Sequence, residues 1–557
     1  HSFFNDTATT EIYTTAKSSA ASDVYKRQGR SRWRSASSPE VYETTLRRSR
    51  LLVVPESVRR VLAVTLDPRT PVLVGGGQYL HRADSVADAL EPAALMERAV
   101  LAAADDAGLD GPPPADSVRI VNILGWRYRN PARFLAERLG LVDVDLAETT
   151  EGGNSPQALV NRTALDLLAG STDIAILSGA EAFRTYMRAR TTGERLTWPK
   201  APDDDRPRRI GSPIRMSHEA ELERGIADPT GVYPMFETAL RAAAGRSVDD
   251  HNAHLGRLWS GLSEVAAGNP YAWIQEAKTP EEIISVGPRN RMIGLPYPKY
   301  MNSNSDVDMG AALIMCTVES ARRLGTSEDR WVFPLAGTDC HEHLYISHRD
   351  RFDRTPAIEI GGRRVLELAG TSVDELQVID LYSCFPSAVQ LGAQSLGLDL
   401  DRQWSRTGGL SFAGGPWNNY PMHAIATVMN DLRERPGERG LVWANGGFVT
   451  KHAFGVYSTE PPASGFRHSS PQDEIDALPR RDLARADEAV GAATIEAYTV
   501  MHDRAGRPET ARAALRLPDG RRAWGNTTDS DDVTALTDGE WVGATALLDA
   551  AGVFALD

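Results

Sequence analysis

The sequence predicts an α/β protein made of two similar covered-sheet halves, with a small antiparallel β domain behind them. Three observations carry that expectation. From Thr70 to about Ala182, short apolar runs fit for buried strands alternate with helical periodicity, the pattern of a parallel sheet clad by helices. The same alternation restarts at Val332. Beyond residue 490 the apolar period falls to two, with Asp519-Gly520 as a hairpin signal between alternating runs.

Composition bounds the function classes. A chain of 557 residues has room for two or three packed domains. Its 41% hydrophobic and 24% charged residues are ordinary for a globular protein. A net charge of −14 argues against a nucleic-acid surface. Cys316, Cys340 and Cys384 are too few and too scattered for a disulfide framework, so a reducing, cytoplasmic setting is expected. Apolar runs such as Leu51-Leu52-Val53-Val54 are far too short to span a membrane.

Taken in order, Asn5 to Thr14 and Asp23 to Gln28 look like translated adapter oligonucleotides, so residues 1–28 are expected to be a disordered artefact. Residues 29–66, rich in Arg and Ser, are expected to be a non-native or disordered extension. A strand at Thr70 to Val74 is then expected to end in a Gly75-Gly76-Gly77 turn, which lacks the Lys-Ser/Thr of a phosphate loop. Next come a helix from Pro92 to Ala107 (core face Leu95, Val100, Leu101 and Ala104), a strand Ile120 to Ile123, and a helix from Ala132 to Leu139.

Thr149-Thr150-Glu151-Gly152-Gly153-Asn154-Ser155-Pro156-Gln157 reads as strand, tight turn, Ser155 as helix cap and Pro156 at the first helical position. The helix that follows is apolar on most sides and should be buried. Asp173 to Glu181 reads as a buried strand. Residues 185 to about 300 break the rhythm as an insertion over the ligand end of the strands, with helices at Met235 to Ala244 and Val248 to Ala267. Its Arg184, Arg188, Arg190, Lys200, Arg206, Arg208 and Arg209 read either as phosphate-facing or as a solvated face balanced by Asp203-Asp204-Asp205.

Cys316 lies in an apolar run and reads as a core thiol. Cys340-His341-Glu342-His343 with His348 fits no standard zinc spacing, so no metal is expected. Gln377 to Phe385 reads as a buried strand entering a helix that continues to Leu396. After a polar linker, strand-like pieces continue through Val533 to Leu548, Thr534-Ala535-Leu536 among them, and suggest a barrel of oligonucleotide/oligosaccharide-binding type.

Several of these segments resemble thiolases. In that family Cys-x-x-Gly-x-x-Ala opens the helix at Gly152 to Gln157, and Gly-Gly-x-Glu-Ser closes the next strand, which Ser178-Gly179-Ala180-Glu181 matches. The catalytic Cys falls on Gly152, or on Gly153 one register away. Asn302 to Ala312 resembles the family's Asn-Ala-Ser segment, which leads into the last strand of the first half. Tyr382-Ser383-Cys384-Phe385 resembles the His-Asp-Cys-Phe motif of sterol-carrier-protein thiolases, with Tyr382 where a His or Asn orders the oxyanion-hole water. Gly408 to Pro416 resembles the Gly-His-Pro loop with Gly415 in place of His, and Asn445 stands where the acid/base Cys of the final Cys-x-Gly would be.

The resemblance covers roughly residues 70 to 465 and rests on the shared order of the motifs. It implies a duplicated five-layer thiolase fold of two βαβαβαββ halves. The first half would cover 67–330, with a loop domain at about 185–300, and the second 331–465; a linker at 466–489 and an additional OB-like β domain at 490–557 would follow. It implies an acyl-CoA-handling protein of lipid metabolism, nominally an acyltransferase like acetyl-CoA acetyltransferase, with a degenerate Cys/His/Cys set. A CoA thioester would be substrate or ligand, with no permanently bound cofactor. Without nucleophile and base, ordinary thiolysis is not expected. Two alternatives stay open: a retro-aldol lyase acting on an acyl-CoA with Tyr382 as acid/base, and a non-catalytic acyl-CoA or lipid-binding scaffold. Ser155, Cys384, His423 and His452 are weaker candidates, each with a structural reading favoured. Thiolases pair through the strand and helix near the nucleophile, which makes a homodimer the default and leaves a monomer open.

Overall fold

The computed structural model describes residues 66–485 and 487–557. The expected artefact at 1–28, and all of the 29–66 extension except Leu66, lie outside the described residues. Eight strands build and flank the first half: β1 (Pro71–Leu80), β2 (Ser117–Ile120), β3 (Asp145–Thr149), β4 (Ile174–Ala182), β5 (Arg208–Ile210), β6 (Met292–Gly294), β7 (Tyr297–Pro298) and β8 (Asp308–Thr317). Six of them form one sheet in the order β1-β8-β4-β2-β3-β5. β2 runs parallel to both β3 and β4, while β8 is antiparallel to β1 and β4.

β1 does not turn at its glycines. After a register shift between Leu73 and Gly75 it continues through Gly75, Gly76 and Gly77, paired to β8 as far as Leu80. The reason is helix α1 (Pro92–Asp106), whose backbone lies against the strand. A Cβ on Gly75 would collide with the Ala103 carbonyl, and one on Gly77 with that of Ala99. The glycines permit a close approach. Leu101, expected on the core face of α1, is instead 38% exposed. β2 ends at Ile120, where the apolar run was read as its start. Helix α2 (Pro131–Arg138) is where the periodicity placed it.

The second half supplies β9 (Phe333–His341), β10 (Leu376–Leu381), β11 (Arg439–Gly446), β12 (Lys451–Ser458) and β13 (Arg467–Ser469), in the order β10-β11-β12-β9-β13. Between the two sheets lie helices α3 (Ser155–Ala169) and, later in the chain, Tyr420–Glu434, which pack on each other and on strands of both. This is the central layer of the expected doubled fold. Leu159, Val160, Ala164 and Leu167 of α3 join Leu313, Val442, Met422 and Ile425 in one apolar core. Apart from the exposed Arg162, the polar residues of α3 are buried too, and each is partnered. Arg119 donates to Asp166 at 2.7 Å, Tyr457 Oη to Gln157 at 2.7 Å, and Asn161 Nδ2 to Asp339 at 3.1 Å.

The insertion carries helices α4 (Pro229–Ala243) and α5 (Val248–Gly268), and helix α6 (Pro386–Leu396) follows β10. The Tyr420–Glu434 helix is α7. One piece of the insertion, β5, pairs in parallel with β3 and so takes the edge position of the first sheet.

The C-terminal strands are β14 (Gly491–His502), β15 (Pro508–Arg516), β16 (Arg522–Thr527), β17 (Thr545–Leu548) and β18 (Phe554–Leu556), ordered β16-β15-β14-β17-β18. A parallel bridge from Asn526 to Val553 joins the two ends, giving a small closed barrel of the expected type. β6 extends this sheet through Gly294 and Met501, tying the insertion to the barrel. Thr534-Ala535-Leu536, expected as strand, lies instead in helix α8 (Ser530–Asp538). Asp529 caps that helix by accepting from Asp531 and Asp532, and Val533 and Leu536 bury one face at helical spacing. No helix among the described residues is long and apolar enough to cross a membrane.

Candidate functional site

A cavity of 660 Å³ opens where the head of α3 meets the C-terminal ends of β10 and β11 and the underside of the insertion. Gly152, Tyr382, Cys384, Gly415 and Asn445, which lie far apart in the chain, all line it. They arrive on four elements: the turn into α3, the β10–α6 loop (Tyr382 and Cys384), the loop before α7 and the end of β11. Tyr233 of α4 and Phe385 close one wall, their rings stacked 4.5 Å apart.

The turn into α3 has no room for a nucleophile. Gly152 has φ +143°, and its N–H donates to Asn418 Oδ1 at 3.0 Å. A Cβ on Gly152 would stand 2.5 Å from Asn154 Oδ1 and 2.6 Å from Lys451 Nζ. A Cβ on Gly153 would collide with Tyr382 Oη and with the Asn445 carbonyl oxygen. Both registers of the missing side chain are therefore filled by other residues. Gly415 differs: a Cβ there would stand 3.3 Å from the Asn304 carbonyl oxygen and 3.5 Å from Ser303 Cβ. That is tight, but short of collision.

Burial sets the protonation of the lining groups. The Tyr382 phenol is pushed well above its ordinary value, and the Cys384 thiol up to about 12, in each case chiefly by desolvation. Both stay neutral, so Cys384 is no thiolate nucleophile. Tyr233 gives its proton to the Gly447 carbonyl at 2.8 Å and accepts from Asn445 Nδ2 at 3.0 Å. Because its only proton is spent on Gly447, the Asn445 amide must point its nitrogen at Tyr233.

Three weaker candidates stand outside the cavity lining. Ser155 is not the cap: Asn154 occupies that position, Ser155 is the first helical residue, and its Oγ donates to the Thr150 carbonyl at 2.8 Å. Its hydroxyl is thus turned back toward the end of β3. His423 Nδ1 is bonded to Gln78 Oε1 at 2.9 Å on the far side of the Gly414 loop, and burial pushes the ring down to about 3. His452 is fully buried beside Trp443, and desolvation lowers its pKa well below the usual value.

Lys451 is the residue that sequence reasoning missed. It opens β12, is 7% exposed, and donates to the Glu151 carbonyl. Desolvation pushes its amine down to about 8. The signal for it was a lone cation at the start of the otherwise uncharged run Lys451–Ser458.

The basic residues of the insertion divide. Arg208 pairs with Asp145, Arg209 with Glu148 at 3.3 Å and Arg184 with Asp306 at 2.5 Å, as an acid-balanced face would. Arg190, with Arg127 and Lys299, is exposed and lines the cavity. Among the described residues, no group of three or more His, Cys, Asp and Glu is placed to hold a metal ion.

Comparison with known proteins fits this geometry. A family model described as the thiolase-like protein type 1 additional C-terminal domain matches residues 471–552. The crystal structure of a monomeric SCP2-thiolase like protein type 1 from Mycobacterium smegmatis is 32% identical, with TM-score 0.75, covering 88% of this chain and 100% of that one. An Ltp2-ChsH2(DUF35) aldolase is 17% identical with TM-score 0.53, covering 70% of this chain and 98% of that one. The dimeric peroxisomal thiolase of Saccharomyces cerevisiae is 14% identical with TM-score 0.52, covering 71% and 98%. The last two share the fold. No curated protein matches the sequence.

Proposed function

Because this chain belongs to the SCP2-thiolase-like proteins of type 1, we propose that it binds an acyl-CoA thioester in the cavity at the head of α3 and performs no thiolase reaction there. One observation carries the reading: the cavity persists at 660 Å³ while Lys451 and Tyr382 fill the nucleophile position. Phe183, Met187, Ile293 and Phe448 give the cavity apolar wall for an acyl or pantetheine chain. Arg127, Arg190 and Lys299 give its rim three exposed cations for phosphate groups. The protein is nominally an acyltransferase by fold. No permanently bound cofactor belongs to this proposal, and three free, buried cysteines support a cytoplasmic location.

The test is thermal or chemical denaturation across a panel of acyl-CoA thioesters, with an assay for acetoacetyl-CoA cleavage beside it. A thioester at a hundred times its Kd should add about 2.7 kcal/mol of stability, with no cleavage. Failure of every thioester to stabilise the fold, or cleavage at the rate of an authentic thiolase, overturns the reading.

A second reading, a retro-aldol lyase acting on an acyl-CoA, is favoured by the placement of Tyr382 on the cavity wall directly over Gly153. It requires that Tyr382→Phe lose turnover while keeping CoA binding. We further propose that the protein is a monomer. β3, the strand through which thiolases pair near the nucleophile, has its outer edge covered by β5.

A further inference from the structure

We propose that Lys451 is an acyl acceptor, its ε-amine taking the acyl group of a thioester held in the cavity. The proposal rests on the reading that the cavity binds such a thioester. Its ground is position. Lys451 Nζ stands 2.6 Å, and Cε 2.8 Å, from the point that a Cβ on Gly152 would occupy. The amine therefore lies where the base of the missing nucleophile would be. Lys451 does not itself line the cavity; it stands behind Glu151, Gly152 and Gly446, which do, and it faces Gly446 in the β11–β12 ladder. Two of these three residues have no side chain to stand between the amine and the cavity.

A second hidden lysine shows what is unusual. Lys278 is 8% exposed and Lys451 7%. Lys278 Nζ has carboxylates of Glu276 at 2.6 Å and Glu282 at 3.9 Å, the usual company of a buried cation. Lys451 instead donates to a neutral carbonyl, that of Glu151. A backbone carbonyl accepts from an amine as well as from an ammonium, so this contact does not hold the charge in place. Glu151 is the charged group that acts on it, and His341 is its register partner across the β9–β12 pair. Desolvation outweighs the Glu151 charge, and the amine titrates at about 8, where the neutral nucleophile is well populated.

The step balances without a further reactant. The Nζ lone pair attacks the thioester carbonyl carbon, the N–C bond forms, and the C–S bond breaks with its electron pair on sulfur. The proton released from nitrogen ends on that sulfur, giving an N-acyl-lysine and free CoA thiol. An amide does not turn over as a thioester does, so one acyl group is taken per chain.

The test incubates the full chain with acetyl-CoA, maps acetylated lysines by peptide mass spectrometry and titrates the released thiol. Lys200, Lys278 and Lys299 serve as internal references. Lys451 should be acetylated about tenfold faster than any of them, at a rate that rises as pH passes through about 8. Lys451→Arg should release no thiol at the fast rate. Lys451→Met is tested in parallel for stabilisation by acetyl-CoA. If acetyl-CoA stabilises that variant while the unsubstituted protein gains no acetyl group at Lys451, the acceptor is wrong and the binding reading stands. If no thioester stabilises the fold but p-nitrophenyl acetate still labels Lys451 ahead of the reference lysines, the binding reading falls and the nucleophilic amine stands. Neither stabilisation nor labelling overturns both.

Discussion

Two groups of glycines lie near the middle of this molecule, and they are glycines for different reasons. At Gly75 and Gly77 an added methyl group would strike the backbone of α1. At Gly152 it would strike the ends of side chains, Lys451 and Asn154, and at Gly153 both the Tyr382 hydroxyl and the Asn445 backbone carbonyl. The first group is fixed by the approach of a helix to a strand, which cannot yield without moving both elements. At Gly152 the colliding Lys451 is a side chain that a second substitution can remove, while φ +143° still strains any other residue there. The turn into α3 is thus closed by side chains, by the Asn445 carbonyl and by its own backbone conformation.

Gly125 faces a side chain, and that side chain gives the largest expected effect. A Cβ there would stand 2.7 Å from Glu181 Oε2, a fully buried carboxyl that accepts from Leu124 N at 2.7 Å and Gly125 N at 2.9 Å. Burial raises Glu181 from 4.5 to about 8, so the folded chain holds a proton that the unfolded chain has already lost. Stability from this group is complete below pH 4.5 and is lost as pH rises toward 8. The loss should be of the order of 4 kcal/mol, read by urea denaturation at pH 5 and pH 8. Glu181→Gln should flatten that slope. An unchanged slope in the variant would show that Glu181 is not its source.

Gly77→Ala should cost about 3 kcal/mol or more, because the Ala99 carbonyl cannot rotate away as a side chain can. Gly152→Cys should also destabilise, but its cost should shrink in the double variant Gly152→Cys/Lys451→Ala, with a coupling of about 1–2 kcal/mol measured by a double-mutant cycle. The corresponding cycle of Gly77→Ala with Lys451→Ala should give no coupling. Equal behaviour of the two glycines would erase the distinction between them. Restored thiolysis is not expected from Gly152→Cys alone, since Gly415 and Asn445 still replace the groups that would activate the thiol.

What the sequence disclosed follows the same division. The meeting of Gly152, Tyr382, Gly415 and Asn445 was legible because their motifs occur in a shared order, and order is a property of the chain. Lys451 was not legible, because it reaches the Glu151 carbonyl across 300 residues of chain, and a lone lysine ahead of an apolar run carries no address. Gly75 to Gly77 looked like a turn because a glycine run records freedom of the backbone, not the helix that lies against it. At Thr534 to Leu536 three residues are too few to separate period two from period three, and the Asp529 cap decides for helix. Ser155 and Asn154 are adjacent cap formers, and only the dihedral angles choose between them.

The smallest effect concerns the edge of the first sheet, where the comparison extends from a filled site to a covered strand. Arg208 and Asp145 form an ion pair between β5 and β3, but their side chains are 46% and 41% exposed. Arg208→Ala should therefore cost less than about 1 kcal/mol and leave sedimentation unchanged, because the ladder with β3 holds β5 in place. Arg209→Pro acts on the ladder itself, by removing an N–H and fixing φ in a three-residue strand. If β5 is what keeps β3 from pairing with a second copy, the proline variant should self-associate with rising concentration while the alanine variant does not. A proline variant that stays monomeric at every concentration would mean that another part of the molecule shields this edge, and β5 would then be a consequence of the monomer and not its cause.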